Sequence, residues 1–414
     1  MESSADVELA KQIVQVLGIM LATGLFTGLL AKKAKIPDVA LFLVVGMLMG
    51  PQMAGWVEIR SDSAFNQGLL ILGASYILFD GGTSLRLKVL NEVWITITAI
   101  STIGLLITAI ITAGAAYFIL QLPFVVALLL ATTIASTDPA TLVPVFRQVP
   151  IKNRVAQTVM SESAFNDAMA AIITFSLLSV AMGSGEFSLP QALFDLLRES
   201  LLGILTGGVI GWMVAVLIGH HRYNFLQEQA PVAVLMGVIS SYMIAIHFHG
   251  SGFMAVFLYG IVIGNMDAFG WKMPHNHAEN HENHVISTAL IMRMFIFILL
   301  GAQVDFSLMN QHLGGGIAVV LIFMLVARPA TVFLCAGPDR RARWSRNELL
   351  FMCWTRETGV IPGALAGMLV GMKAPGAPII ASVTFIAILM TILIQATTTA
   401  WIGGKLGLLT GKES

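Results

Sequence analysis

Charge is what this chain has least of: Asp, Glu, Lys and Arg make up only 11% of its 414 residues. A water-soluble domain needs about 25% to cover its surface. The 23 basic and 23 acidic side chains cancel, so there is no basic field to attract nucleic acid. The only two cysteines, Cys335 and Cys353, sit in apolar segments, where they read as small packing residues and report no redox compartment. Alternating ten-residue strands, the signature of a membrane barrel, are missing too. The first twelve residues are acidic and polar and do not read as a secretory signal, and no lipidation motif occurs.

What the chain has is apolar length. Hydrophobic residues make up 57%, gathered in runs such as 13–30, 94–120 and 383–394. Runs of about 20 apolar residues match the hydrocarbon thickness of a bilayer. Helices are the structures that close their own hydrogen bonds there. The expected fold is an all-α polytopic membrane protein of about thirteen spans: 11–31, 38–54, 65–80, 93–120, 123–146, 155–182, 191–219, 230–248, 252–267, 285–304, 315–336, 347–371 and 377–403. Sixteen Lys and Arg then fall on one side, among them Lys32, Lys33, Arg86, Lys152, Arg154 and Arg340 to Arg346, against four on the other, Lys11, Arg60, Arg198 and Lys373. The positive-inside bias places the N-terminus outside and the C-terminus in the cytoplasm. Thirteen divides as six, one and six, so the linking helix at 191–219 would invert repeat two (230–403) relative to repeat one (11–182) within one domain, 1–414. That is a plan of secondary transporters.

The irregular helices carry the chemistry. The fifth span reads TTIASTDPATLVP and the twelfth, its counterpart, WTRETGVIPG. Pro139 denies a helical donor to the carbonyl of Ala135, and Pro362 does the same to Thr358. A freed carbonyl at membrane depth must find another partner or line a wet cavity. Asp138 sits at the first break beside Thr137. It is a candidate ion or proton ligand, or a cap for the following half-helix, and the two roles are compatible. In the sixth span, SESAFND, Ser163, Asn166 and Asp167 share a helix face with Glu162 beside them. Their oxygens suit a hard alkali cation. One Asp167 carboxylate can take a proton or a cation but not both, which is the minimum for coupled exchange. The apolar run that follows argues against a surface polar cap.

Arg328, with apolar sequence on both sides, needs a carboxylate partner if buried, and Glu162 is the choice; snorkelling to the inner surface is the alternative. Arg356 and Glu357 lie at the second break, where adjacent residues of a regular helix would point apart. Asp80, in LFDGG at the end of the third span, is a weaker candidate ligand or an interfacial cap. The segment 270–284 holds His275, His277, His281 and His284 with Glu279 and Glu282. It reads as a solvated cytoplasmic loop whose spacing fits no standard zinc motif, with pH sensing as its functional option.

ASTDPATLVPVF and SESAFNDAMA together resemble the monovalent cation:proton antiporter superfamily, specifically the NhaP-like sodium/proton exchangers, across nearly the whole chain. The resemblance implies a homodimer with a mobile core domain, broken and crossed fifth and twelfth helices, and no cofactor. It implies Asp167 as the exchange carboxylate, with Thr137, Asp138 and Ser163 around the ion and Glu162–Arg328 as a structural pair. Asn166, where electrogenic relatives carry a second Asp, makes the chain similar to the electroneutral Asn-Asp branch. Two departures stand out: Thr355 to Gly359 adds the acid Glu357 where many relatives have Gly-Leu-Arg-Gly, and Asp80-Gly81-Gly82 replaces Glu-Gly-Gly. Both bear on the choice between sodium, lithium and potassium. The reading is a secondary transporter exchanging an alkali cation, sodium first, for protons by alternating access, not an enzyme. A potassium/proton exchanger with the same mechanism is one alternative. A cation channel is another, disfavoured by a single buried site and paired helix breaks.

Overall fold

The computed structural model describes residues 2–34, 38–61, 63–137, 142, 146, 151–183, 189–272 and 275–409. Within these the chain is almost entirely helical, apart from turns and one isolated bridge between Ile151 and Leu409. In chain order the helices are α1 (Glu2–Ala34), α2 (Asp38–Met49), α3 (Ala64–Thr83), α4 (Leu87–Ile119), α5 (Phe124–Ala135), α6 (Asn153–Ala181) and α7 (Leu189–Gly219). Then follow α8 (Ala230–His247), α9 (Gly252–Gly264), α10 (His275–Ala302), α11 (Phe306–Cys335), α12 (Arg346–Trp354), α13 (Val360–Gly371) and α14 (Ala377–Lys405). A described helix lies in each segment expected to span. Among the described residues eight helices are long and apolar enough to cross a membrane, and α2, α5, α9 and α13 are shorter apolar pieces. Many large apolar side chains, such as Phe26, Phe118, Leu201 and Trp212, are exposed on the outside. A lipid solvent explains such a surface and water does not.

Local chemistry sets the helix ends. Ser63 caps α3 through the Asn66 amide, Ser251 caps α9 through Met254, and Asp305 caps α11 through Ser307 and Leu308. Ser345 and Glu348 form a reciprocal capping box at the start of α12. One expectation needs correction. The histidine-rich segment is not a loop along its whole length, because α10 already begins at His275. Hydropathy marks where lipid begins, whereas a helix of Asn, His, Ala and Glu continues into the aqueous layer with no change in backbone. For the same reason α11 starts at Phe306, earlier than its apolar run suggests.

Glycines allow the closest helix contacts. A Cβ on Gly46 would lie 2.2 Å from the Ile298 carbonyl, and one on Gly301 2.2 Å from that of Leu43, so α2 and α10 meet backbone to backbone. In α3 and α9, Gly260 faces the Phe79 carbonyl at 2.4 Å and Gly264 that of Thr83 at 2.2 Å. Small residues drive association where lipid removes the hydrophobic incentive. Single π turns interrupt α4 (Ile100–Gly104), α11 (Phe323–Ala327) and α14 (Thr391–Ala396). Each inserts a residue and rotates the face that follows.

The helix ends sort into two layers. In one, Arg86 donates to the Gly264 carbonyl at 2.7 Å, Arg154 pairs with Glu348 at 2.8 Å, and the Lys152 amide bonds the Leu408 carbonyl at 3.0 Å. Here too Thr96 donates to Asp339 at 2.5 Å. Burial alone would push the Asp339 carboxyl up, but hydrogen bonds from Thr96 and from the amides of Ala342 and Arg341 outweigh it and hold it below its ordinary value. In the other layer Gln303 bonds Asn66 at 2.9 Å and the Phe306 amide bonds Gln52 at 3.0 Å. The basic ends of α4, α6 and α12 thus share one layer.

Candidate functional site

The fifth span breaks after Ala135, where Ser136 turns to an extended conformation. The twelfth breaks between Trp354 and Val360, through Thr355 to Gly359. The two breaks meet. The Ala135 carbonyl, which the sequence left without a helical donor, accepts from Asn166 Nδ2 at 3.0 Å and from Arg356 Nη2 at 2.6 Å. One freed carbonyl therefore joins α5, α6 and the second break. Arg356 also donates through Nη1 to Thr108 at 2.9 Å and lies 5.0 Å from the Phe323 ring centroid. Thr108 in turn shares a hydrogen bond with Thr331, 2.9 Å away.

Asp167 has no exposed surface, and the Ser136 hydroxyl donates to its Oδ1. Ser163, Asn166 and Thr137 are buried beside it in sequence or at the break. Their oxygens Ser163 Oγ, Asn166 Oδ1 and Thr137 Oγ1 have no hydrogen-bond partner among the described residues. Buried acceptors normally find partners, so a group of orphaned oxygens around a carboxylate fits a desolvated cation. Asp138 lies outside the described residues.

Arg328 does not snorkel. It follows the π turn of α11, is buried to 1% exposure, and grips Glu162 through two bonds of 2.5 and 2.8 Å. Its remaining donors reach the carbonyls of Met352 at 2.8 Å and Thr355 at 3.3 Å. The planar guanidinium thus fixes α6 against the entry to the second break. Glu357 is fully buried, with Thr399 Oγ1 3.5 Å from its Oε1. Asp80 is buried on α3, one turn after Tyr76.

Sequence reasoning passed over Ser136 in favour of its neighbour Thr137, and also missed Thr108 and Thr331. A threonine in an apolar helix usually bonds its own backbone, so nothing in the sequence distinguishes these two. His281 is buried on α10 while His284 and Glu282 are exposed, and no group of three or more His, Cys, Asp or Glu among the described residues could hold a metal. Both cysteines are free and buried.

Paired helix breaks around a buried carboxylate and two buried arginines define a membrane transporter of small cations. The family profile of the transmembrane sodium/hydrogen exchangers matches residues 19–405. The chain is 31% identical over 362 residues to Na(+)/H(+) antiporter 1 of Methanocaldococcus jannaschii, covering 84% of this chain and 81% of that one. It is 28% identical over 413 residues to the K(+)/H(+) antiporter NhaP of Alkalimonas amylolytica, covering 97% and 68%. Among solved structures it superposes on the sodium proton antiporter of Methanocaldococcus jannaschii with a TM-score of 0.80 at 29% identity, covering 96% of this chain and 99% of the other. The chain belongs to the sodium/hydrogen exchanger family: it is a membrane antiporter of cations for protons and not an enzyme.

Proposed function

We propose that Asp167 is the exchange carboxylate, alternately binding a proton and a sodium ion. The observation that carries this is its complete burial against Ser136 at the first break, with orphaned oxygens on Thr137, Ser163 and Asn166. Together with Asp138 these supply the hard, oxygen-only ligands an alkali cation needs. Glu162, held bidentate by Arg328, is structural. Arg356 binds the broken backbone rather than the ion. Asn166 spends its amide on Ala135, so it adds a neutral oxygen and no second titrating group. With Asp167 alone exchanging a proton for a cation, one charge moves in either direction, an electroneutral one-for-one exchange.

The carrier alternates access by moving a core built on the crossed breaks, in a homodimer set in the cell membrane with the N-terminus outside and the basic layer cytoplasmic. Two inverted six-helix repeats are supported by three correspondences. The glycine contact of α2 with α10 mirrors that of α3 with α9, the π turns of α4 and α11 correspond, and both fifth members are broken. Potassium is the second reading, favoured by the extra acid Glu357 and by the potassium antiporter among the relatives.

The test uses proteoliposomes containing a pH dye. Sodium, lithium, potassium or choline is added against an imposed pH gradient, for wild type and Asp167→Asn. The expected result is cation-dependent dissipation in wild type, strongest with sodium and reduced to background in the variant. Wild-type rates in the variant would remove Asp167 from the mechanism.

A further inference from the structure

Two threonines outside the exchange chemistry, Thr108 on α4 and Thr331 on α11, lie against the arginine of the second break. Both are fully buried, and so nearly is Arg356. Arg356 Nη1 donates to Thr108 Oγ1 at 2.9 Å, since a guanidinium has donors and no acceptor. Thr108 Oγ1 and Thr331 Oγ1 are 2.9 Å apart. Thr331 gives its proton to the Gly104 carbonyl at 3.1 Å. Thr108 must then donate to Thr331. Every proton has an acceptor in this order: Arg356 to Thr108, Thr108 to Thr331, Thr331 to Gly104. Gly104 lies four residues before Thr108, and its carbonyl is the one a helical threonine ordinarily bonds. Thr331 occupies it instead. The π turn Ile100–Gly104 ends at that carbonyl. The approach of α11 depends on the missing side chain of Gly104, where a Cβ would lie 2.5 Å from Thr331 Cγ2. The Thr108 hydroxyl is thereby directed off its own helix, to Thr331 and Arg356.

The other arm of the guanidinium reaches the exchange site. Arg356 Nη2 donates to the Ala135 carbonyl at 2.6 Å, alongside Asn166 Nδ2 at 3.0 Å. Ala135 precedes Ser136, whose hydroxyl donates to Asp167. Because the guanidinium is a rigid plane, anchoring Nη1 also directs Nη2. We propose that Thr108 is a positioning residue for cation binding. By anchoring Arg356 to α4 and α11 it holds the Ala135 carbonyl in place, and so sets Ser136 against Asp167. Thr108 acts through Arg356 and not on the ion, and its role rests on Asp167 being the exchange carboxylate.

The apparent KM for sodium of the full chain in proteoliposomes tests this. Thr108→Val removes the acceptor at nearly constant shape and should raise KM about fivefold, the value of an ordinary hydrogen bond, with the maximal rate unchanged. Thr108→Ser keeps the hydroxyl and should keep the wild-type KM. Thr331→Val frees the Gly104 carbonyl for the Thr108 proton, so KM should stay near wild type. In a Ser136→Ala background Thr108→Val should add little, because both act through one chain of contacts. A wild-type KM in Thr108→Val, or an increase that simply multiplies that of Ser136→Ala, would overturn the proposal. So would a raised KM in Thr108→Ser, even where Thr108→Val does not fold, because it would trace the effect to packing of the methyl group. Asp167→Asn in the same vesicles separates the two readings. Exchange lost there beside an unchanged KM in Thr108→Val removes the positioning role alone. Wild-type exchange in Asp167→Asn removes the exchange carboxylate and the positioning role with it.

Discussion

The two breaks solve one problem with opposite distributions of charge. At the first, the broken helix contributes hydroxyls, Ser136 and Thr137, and the neighbouring helix α6 brings the carboxylate, Asp167. At the second, the break carries its own charges, Arg356 and Glu357, and the neighbouring helix α14 offers the neutral Thr391, Gln395 and Thr399. The second break is also fastened from α11, by Arg328 on the carbonyls of Met352 and Thr355. In the first, the Ser136 hydroxyl joins the carboxylate to the break. A cation can replace a hydroxyl's proton donation with little rearrangement, whereas a bidentate arginine pair cannot be exchanged so cheaply. The arrangement thus separates a reactive break from a structural one.

Breaking the structural side should have the largest effect. Arg328→Met leaves Glu162 buried without its arginine, a loss of about 3–5 kcal/mol. Thermal unfolding in detergent should show a marked drop in melting temperature, largely restored when Glu162→Leu is added. An undiminished melting temperature in the single variant would mean that the pair does not hold the core. On the reactive side, Ser136→Ala should leave folding intact and raise the apparent KM for the transported cation about tenfold, the value of one hydrogen bond to a charged group. A variant that loses stability instead of affinity would place Ser136 with the scaffold.

The smallest effect lies outside both breaks. Asp339 has a folded-state pKa below its unfolded one. Its contribution is therefore complete above the ordinary carboxylate value near about 4 and is lost as pH falls through the lower folded value. Asp339→Asn should lower the melting temperature slightly at neutral pH, and the gap from wild type should close as the medium is acidified below that range. A gap that widens in acid would contradict the hydrogen-bond account.

Much of this was legible before any coordinates. Hydropathy placed the spans because lipid demands uninterrupted apolar length. Proline marked Ala135 as a carbonyl in need of a donor, and two side-chain donors serve it. The partner chosen for Arg328 is the one it grips. The π turns were not legible, since an inserted residue leaves no trace in composition. Their consequences, the orientation of Thr331 toward Thr108 and of Gln395 toward Trp354, were therefore hidden as well. Ser136 was hidden for a different reason: once the helix breaks, helical spacing no longer says which of two adjacent hydroxyls faces α6. The histidine segment shows the limit of polarity as a guide, because the helix already begins at His275, within the polar run.

On the proposed mechanism a proton and a cation compete for one carboxylate, Asp167. The most direct measurement is the apparent KM for sodium in proteoliposomes over a pH series, with the maximal rate followed in parallel. Competition requires KM to rise about tenfold for each unit of acidification below the pKa of the binding carboxyl, because proton concentration changes by that factor, with the maximal rate unchanged at saturating sodium. A KM independent of pH, with only the maximal rate responding, would mean that proton and cation bind at different places and would contradict the account.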